Sequence, residues 1–230
     1  MNKDFRKELK YIINDKDFYI INHNLKSIIK KDKHCKNEFY TISSIYFDTY
    51  NKTSYNQVKN GLSNRWKYRI RYYDYDDSFI KLEKKHKING LTNKTSTTIT
   101  RKQLNDIMSK KIKISSENGE LLNEFIMKMK TELLKPIICI EYDRIPYVCK
   151  LGNVRVTLDY NIRYTNKFTN LFNNRKKVYY LKEKILEVKY NELIPDYIRY
   201  RMELNHLEQI SFSKFNECID NLKGRFFVWF

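Results

Sequence analysis

Between Arg65 and Lys87 a cation recurs on every second residue of segments that otherwise read as strands. Lys67, Arg69 and Arg71 alternate with Tyr68, Ile70 and Tyr72, and farther on Lys81, Glu83 and Lys85 stand opposite Ile80 and Leu82. Successive side chains of a strand point to opposite faces, so each segment carries one charged and one apolar face. A fold built from such strands must bury one face and give the other to water or to a polar ligand.

The same alternation continues elsewhere. Arg6, Glu8 and Lys10 share a phase, as do Arg155, Thr157, Asp159 and Arg163, then Glu187 and Lys189, and Tyr142 with Arg144. Strand-like segments cover roughly 5–13, 40–48, 65–75, 78–87, 93–99, 136–148, 153–165, 177–182 and 184–190. Helical patterns lie between them. One stripe carries Phe18, Ile21, Leu25, Ile28 and Ile29 in a segment running to Lys31, and a second helix starts from a Thr100 cap. A third spaces Leu122, Phe125, Ile126, Met129 and Leu133; a fourth begins with Pro195 near its first turn; the last carries Phe215, Ile219 and Leu222. Two architectures fit this pattern. One is a sandwich with a solvated face; the other is a closed barrel whose polar face lines the interior. In a barrel the gathered cations would be costly unless a polyanion filled the lumen.

Composition narrows the partners. The 230 residues suit one domain spanning 1–230, and 41% hydrophobic with 15% aromatic residues exclude a disordered chain. Lys and Arg number 45 against 27 Asp and Glu, a net charge of +18, which points to a polyanion. The chain holds no alanine and is crowded with Lys, Asn, Ile and Tyr, as from an AT-rich coding source. Arginine and spacing therefore weigh more than bulk lysine. Cys35, Cys139, Cys149 and Cys218 form no paired motif and lie apart from the histidines, so neither zinc nor disulfides are signalled. The charged start lacks the apolar core of a signal peptide, and no apolar run spans a bilayer. A cytoplasmic location is expected.

The segments FRKELKY, YTISSIYFDT, RWKYRIRYY, FIKLEKK, EYDRIPY, VRVTLDYNIRY, ILEVKYNELIPDYI and SFSKF, in this order from about residue 5 to residue 223, resemble the VTC domain. This is the polyphosphate polymerase domain of the vacuolar transporter chaperone family, one of the triphosphate tunnel metalloenzymes with the CYTH-type triphosphatases and adenylate cyclases. The resemblance implies an α+β fold, mainly antiparallel: a closed barrel tunnel of about eight strands with helices outside. It implies catalytic roles for Lys10, Arg69, Arg71, Arg144, Arg155 and Glu187. Phosphate contacts would come from Lys85 (Lys84 in the other strand phase), Lys94, Tyr142, Lys189, Ser213 and Lys214. Glu187 would hold Mn²⁺ or Mg²⁺, with Glu83 and Glu8 as further carboxylates; a salt bridge to a neighbouring cation is the structural alternative for each of the three.

Two departures from the family pattern bear on chemistry. Many tunnel hydrolases start with E-x-E-x-K, but Arg6 takes the first acidic position and leaves Glu8 and Lys10. In the last helix Ser211 stands where the polymerases carry a lysine. The resemblance implies that the terminal phosphoryl group of ATP is added to polyphosphate, with triphosphate and pyrophosphate as further ligands. A triphosphatase of the same fold is the second reading, and Arg6 speaks against it by removing a carboxylate that could orient water. A binding module without catalysis is the third: basic faces and 19 tyrosines suit single strands, but no specific nucleic-acid motif is present. Any membrane partner would be a separate protein.

Overall fold

The computed structural model describes residues 7–35, 37–89, 91–174 and 178–226. Arg6, and residue 177 at the start of one expected strand, lie outside them. Along the chain run β1 (Lys7–Ile13), α1 (Asp15–Ile28), β2 (Lys30–Lys31), β3 (Tyr40–Asp48), α2 (Thr53–Lys59), β4 (Arg65–Tyr73), β5 (Asp76–Ile88) and β6 (Leu91–Ile99). There follow α3 (Arg101–Met108), α4 (Glu120–Thr131), β7 (Lys135–Cys149), β8 (Val154–Thr165), β9 (Tyr179–Tyr180), β10 (Lys184–Tyr190), α5 (Asp196–Met202) and α6 (Lys214–Phe226). The fold class is α+β, as expected.

The main strands hydrogen-bond in the order β1-β10-β8-β7-β3-β4-β5-β6, with β2 added to β7 and β9 to β8. Every register resolved among the main strands is antiparallel. This path has two ends, so the sheet is open where a closed barrel was expected. The ends explain why. The outer edge of β1 is taken up by a bridge from Tyr11 to Gln209 and by the Ile210 amide, which donates to the Lys10 carbonyl. At the other end β6 is a polar edge strand, exposed from Leu91 through Ser96. Its Lys94 is a charged side chain of the type that discourages further pairing.

The chain divides into two compact units. The first draws its described residues from 1–41, 142–163 and 180–213. Its core joins Leu9, Tyr11 and Ile13 of β1, Val156 and Leu158 of β8, and Leu186 and Val188 of β10 to Phe18, Ile21 and Leu25 of α1 and Ile198 and Met202 of α5. The stripe expected on α1 is thus the face it buries. Asn14 caps this helix by accepting from the Asp17 amide at 2.8 Å. The helix ends at Ile28, short of the expected Lys31, because Ile29 turns to extended backbone and Lys30–Lys31 pair with β7. Pro195, expected near the first turn of α5, is its N-cap.

The second unit draws on 42–141, 164–179 and 214–226. Its core sets Ile45 and Phe47 of β3, Tyr68, Ile70 and Tyr72 of β4, and Ile80 and Leu82 of β5 against Leu104 and Ile107 of α3 and Leu121, Leu122, Phe125 and Ile126 of α4. Thr100 and Gln103 close a reciprocal capping box at the start of α3. Leu133, placed on the α4 stripe by its spacing, falls after the helix ends and is 64% exposed. Helix α2 had no apolar stripe to reveal it. The buried Asp48 organises its first turn, accepting from the amides of Ser54 and Tyr55 at 2.8 and 3.0 Å.

Candidate active site

In the second unit one sheet face is covered by α3 and α4, and the other is charged. Register across β3, β4 and β5 aligns Tyr46 with Arg69 and Glu83, and Ser44 with Arg71 and Lys81. Lys67, Lys85 and Lys94 form the next row across β4, β5 and β6. The alternation between Arg65 and Lys87 therefore builds a two-dimensional array of cations around a single buried carboxylate. Glu83 is 1% exposed; its Oε2 takes Arg69 Nε at 2.6 Å and Arg71 Nη1 at 3.7 Å, and Lys94 pairs with its other oxygen. Burial alone would push the Glu83 carboxyl up, but Arg69, Arg71 and Lys94 outweigh it and hold it down at about 2. Burial depresses the Lys94 ammonium, against the pull of Glu83. Arg69 also donates to the Tyr46 hydroxyl at 3.2 Å and Arg71 to the Ser44 hydroxyl at 3.3 Å.

The phase of β5 is now fixed. Lys85 lies on the charged face, in register with Lys67 and Lys94. Lys84 lies on the other face and reaches Glu124 of α4. Ser213 stands immediately before α6, and Lys214 is its first residue. A cavity of about 480 Å³ elsewhere in this unit, lined by Tyr50, Ile112, Ile126, Met129 and Leu134 among others, includes none of the expected site residues.

The first unit repeats the arrangement with its own residues. Register across β1, β10 and β8 sets Lys10 beside Glu187 and Thr157, and Glu8 beside Lys189 and Arg155. The side chains close a ring of alternating charge. Lys189 Nζ lies 2.5 Å from Glu187 and 3.6 Å from Glu8, while Lys10 Nζ lies 3.1 Å from Glu8 and 3.7 Å from Glu187. Glu187 is 7% exposed. Burial opposes its ionisation, but Lys189, Arg144 and Lys10 hold its carboxyl well below the usual carboxylate range.

Arg144 is fixed by a two-pronged pair to Asp159, Nε and Nη2 donating at 2.6 and 2.7 Å, and its guanidinium lies 5.3 Å from the Tyr142 ring centroid. Burial works against that charge and Asp159 more than restores it, so Arg144 stays protonated at any working pH. Arg155 pairs with Asp32 at 3.1 Å and donates to the Tyr40 hydroxyl at 3.3 Å. The sequence reading did not single out Asp32, Tyr40, Ser44, Tyr46 or Asp159 as partners of the site cations. Strand phase signalled Asp159; Ser44 and Tyr46 have the alternation on β3, but only register shows which arginine each meets.

Metal-ligating potential follows from donor chemistry. No group of three or more His, Cys, Asp or Glu side chains that could hold a metal occurs among the described residues. Glu187 and Glu8 nonetheless place two carboxylates together, one of them buried and ionised. A hard divalent ion such as Mg²⁺ takes one or two carboxylates and fills its other positions with water and phosphate oxygens. The pair fits that requirement.

With this geometry in view, the solved structures that match place the fold. A candidate adenylate cyclase from Bacillus halodurans is 16% identical, with 93% of this chain and 96% of that one covered and a TM-score of 0.55. A candidate adenylyl cyclase from Hippeastrum, described as having a dominant triphosphatase activity, is 14% identical over 92% of each chain, also with a TM-score of 0.55. Their fold is the CYTH-like, triphosphate tunnel fold, and this chain shares it. Residues 5–223 match the VTC domain, and the chain belongs to that family. No curated protein sequence matches it.

Proposed function

We propose that the protein is a metal-dependent phosphotransferase that adds the terminal phosphoryl group of ATP to polyphosphate. The observation that carries this reading is the sidedness of both sheet regions: the face opposite the apolar core bears Lys10, Arg155 and Lys189 in one unit and Arg69, Arg71, Lys85 and Lys94 in the other. Membership of the VTC domain family supports it. Phosphoryl transfer asks a protein mainly to hold the phosphates, neutralise their spreading charge and align the attacking oxygen.

Glu187 and Glu8 would hold Mn²⁺ or Mg²⁺. Such an ion, when bound, neutralises phosphate charge and polarises the phosphorus–oxygen bonds. The remaining work belongs to side chains of the chain itself. Lys189 and Lys10 keep Glu187 ionised. Asp159 takes the Nε and Nη2 donors of Arg144 and fixes its guanidinium, whose remaining N–H groups supply the phosphate contact. Glu83 acts as the anchor that lets Arg69, Arg71 and Lys94 crowd together. With three cations already on its carboxylate, we assign it that role in preference to metal binding. Tyr142, Lys85, Ser213 and Lys214 supply the further phosphate contacts.

A triphosphatase is the second reading, favoured by the activity described for the Hippeastrum protein of the same fold. Purified protein incubated with ATP and Mn²⁺, followed by separation of the phosphate products by size, tests the choice. Chains longer than those of ATP are expected. Inorganic phosphate alone would establish the triphosphatase, and no product would remove both readings.

A further inference from the structure

Two donors on β8 lack an acceptor. Thr157 is 1% exposed, and its Oγ1 has no hydrogen-bond partner among the described residues; the same is true of the buried Nε of Arg155. The two stand at i and i+2, so they share one face of the strand. That face is the charged one: Thr157 is in register with Glu187 and Arg155 with Lys189. The intervening Val156, with Leu158, packs into the apolar core on the opposite side. The other end of the Arg155 guanidinium is held by Asp32 and Tyr40, which fixes where its Nε–H points.

A buried hydroxyl without a partner destabilises a fold, and valine, nearly the same shape, would remove that cost. A threonine here is explained if a ligand completes it. Both orphaned groups can donate, and both lie beside the lysines of the Glu187 ring, so the missing acceptor is an anionic oxygen. Their Cα atoms are about 7 Å apart along the strand, a gap the long arginine side chain can close onto a group held by the short threonine.

We propose that Thr157 is a phosphate-binding residue whose hydroxyl, together with Arg155 Nε, donates to the phosphate group nearest Glu187. This rests on the reading of the first unit as a phosphate site, and it adds a neutral donor that discriminates oxygen position where the surrounding lysines supply only charge.

Thr157→Val and Thr157→Ser test it, with inorganic tripolyphosphate as the probe in low-salt, metal-free buffer. By titration calorimetry, Thr157→Val is expected to bind about tenfold more weakly, roughly 1.4 kcal/mol, and Thr157→Ser to bind like the wild type. In the absence of tripolyphosphate, Thr157→Val should melt about 2–4 °C higher, as for the loss of one unsatisfied buried group. A purely structural hydroxyl would not couple weaker binding to greater stability. If Arg155 Nε shares the same phosphate, adding Arg155→Lys to Thr157→Val should cost less than the sum of the single changes. Unchanged affinity in Thr157→Val, with the wild type binding normally, would overturn the assignment of Thr157 and leave the phosphate site standing. Failure of the wild-type protein to bind tripolyphosphate would overturn both.

Discussion

Glu187 and Glu83 are both buried carboxylates kept ionised by cations, yet their surroundings differ. Glu187 shares its ring with a second carboxylate, Glu8, whereas Glu83 meets only cations in the ion pairs it makes. Glu187→Gln preserves size and removes the charge a metal needs. Turnover is expected to fall a hundredfold or more, about 3 kcal/mol of transition-state stabilisation, while tripolyphosphate binding in metal-free buffer persists. Near-normal turnover would make Glu187 a structural ion-pair partner. Glu83 predicts a stability effect instead. Its folded-state carboxyl is lowered from 4.5 to about 2, so the stabilisation is fully present above pH 4.5 and is lost as pH falls toward 2. By linkage the whole effect is about 3 kcal/mol. Glu83→Gln should unfold at lower denaturant concentration near neutrality, with the difference from wild type shrinking in acid. A constant difference between pH 6 and pH 2.5 would refute the linkage.

At the scale of elements, β5 offers the sharpest test because adjacent lysines point to opposite faces. Lys84 pairs with Glu124 beneath α4, and Lys85 faces the cation row with Lys67 and Lys94. Lys85→Ala should weaken tripolyphosphate binding severalfold with little effect on melting. Lys84→Ala should leave binding intact and cost at most about 1 kcal/mol of stability, as for a partly exposed pair. The reverse pattern would show that the strand is out of phase. Helix α3 rests on the Thr100–Gln103 capping box, so Thr100→Ala should cost about 1 kcal/mol in denaturant unfolding.

For the whole molecule the governing quantity is the net charge of +18, with cations concentrated on the sheet faces opposite the apolar cores. Lys67, Lys85 and Lys94 stand directly opposite one another, where like charges repel, and Glu83 offsets part of that repulsion through Lys94. A bound polyanion relieves that repulsion. Tripolyphosphate at a hundredfold excess over its dissociation constant should stabilise the protein by about 2.7 kcal/mol, and the gain should shrink with added salt. Absence of any melting shift at low salt would count against every phosphate-based reading.

Alternation at Lys67, Arg69 and Arg71 made β4 and its charged face legible from sequence, 3.6-residue spacing did the same for α1 and α4, and the Thr100 cap marked α3, because all three signals are local. Segments without a local signal escaped. Helix α2 depends on Asp48 several residues upstream, and β2 depends on pairing with Val148 and Tyr147 far along the chain. The open ends of the sheet were likewise undecided by pattern, since an alternating strand reads the same whether its edge meets another strand, water or the Gln209–Ile210 segment. Sequence by itself determined which residues share a face of each strand. Tertiary structure alone decided which strand lies beside which, and so that Lys10 and Lys189 close on Glu187, that Glu83 gathers Arg69, Arg71 and Lys94, and that the buried Thr157 hydroxyl finds no acceptor among the described residues. Side-chain direction repeats every two residues along one strand, whereas register and burial arise only where distant strands meet.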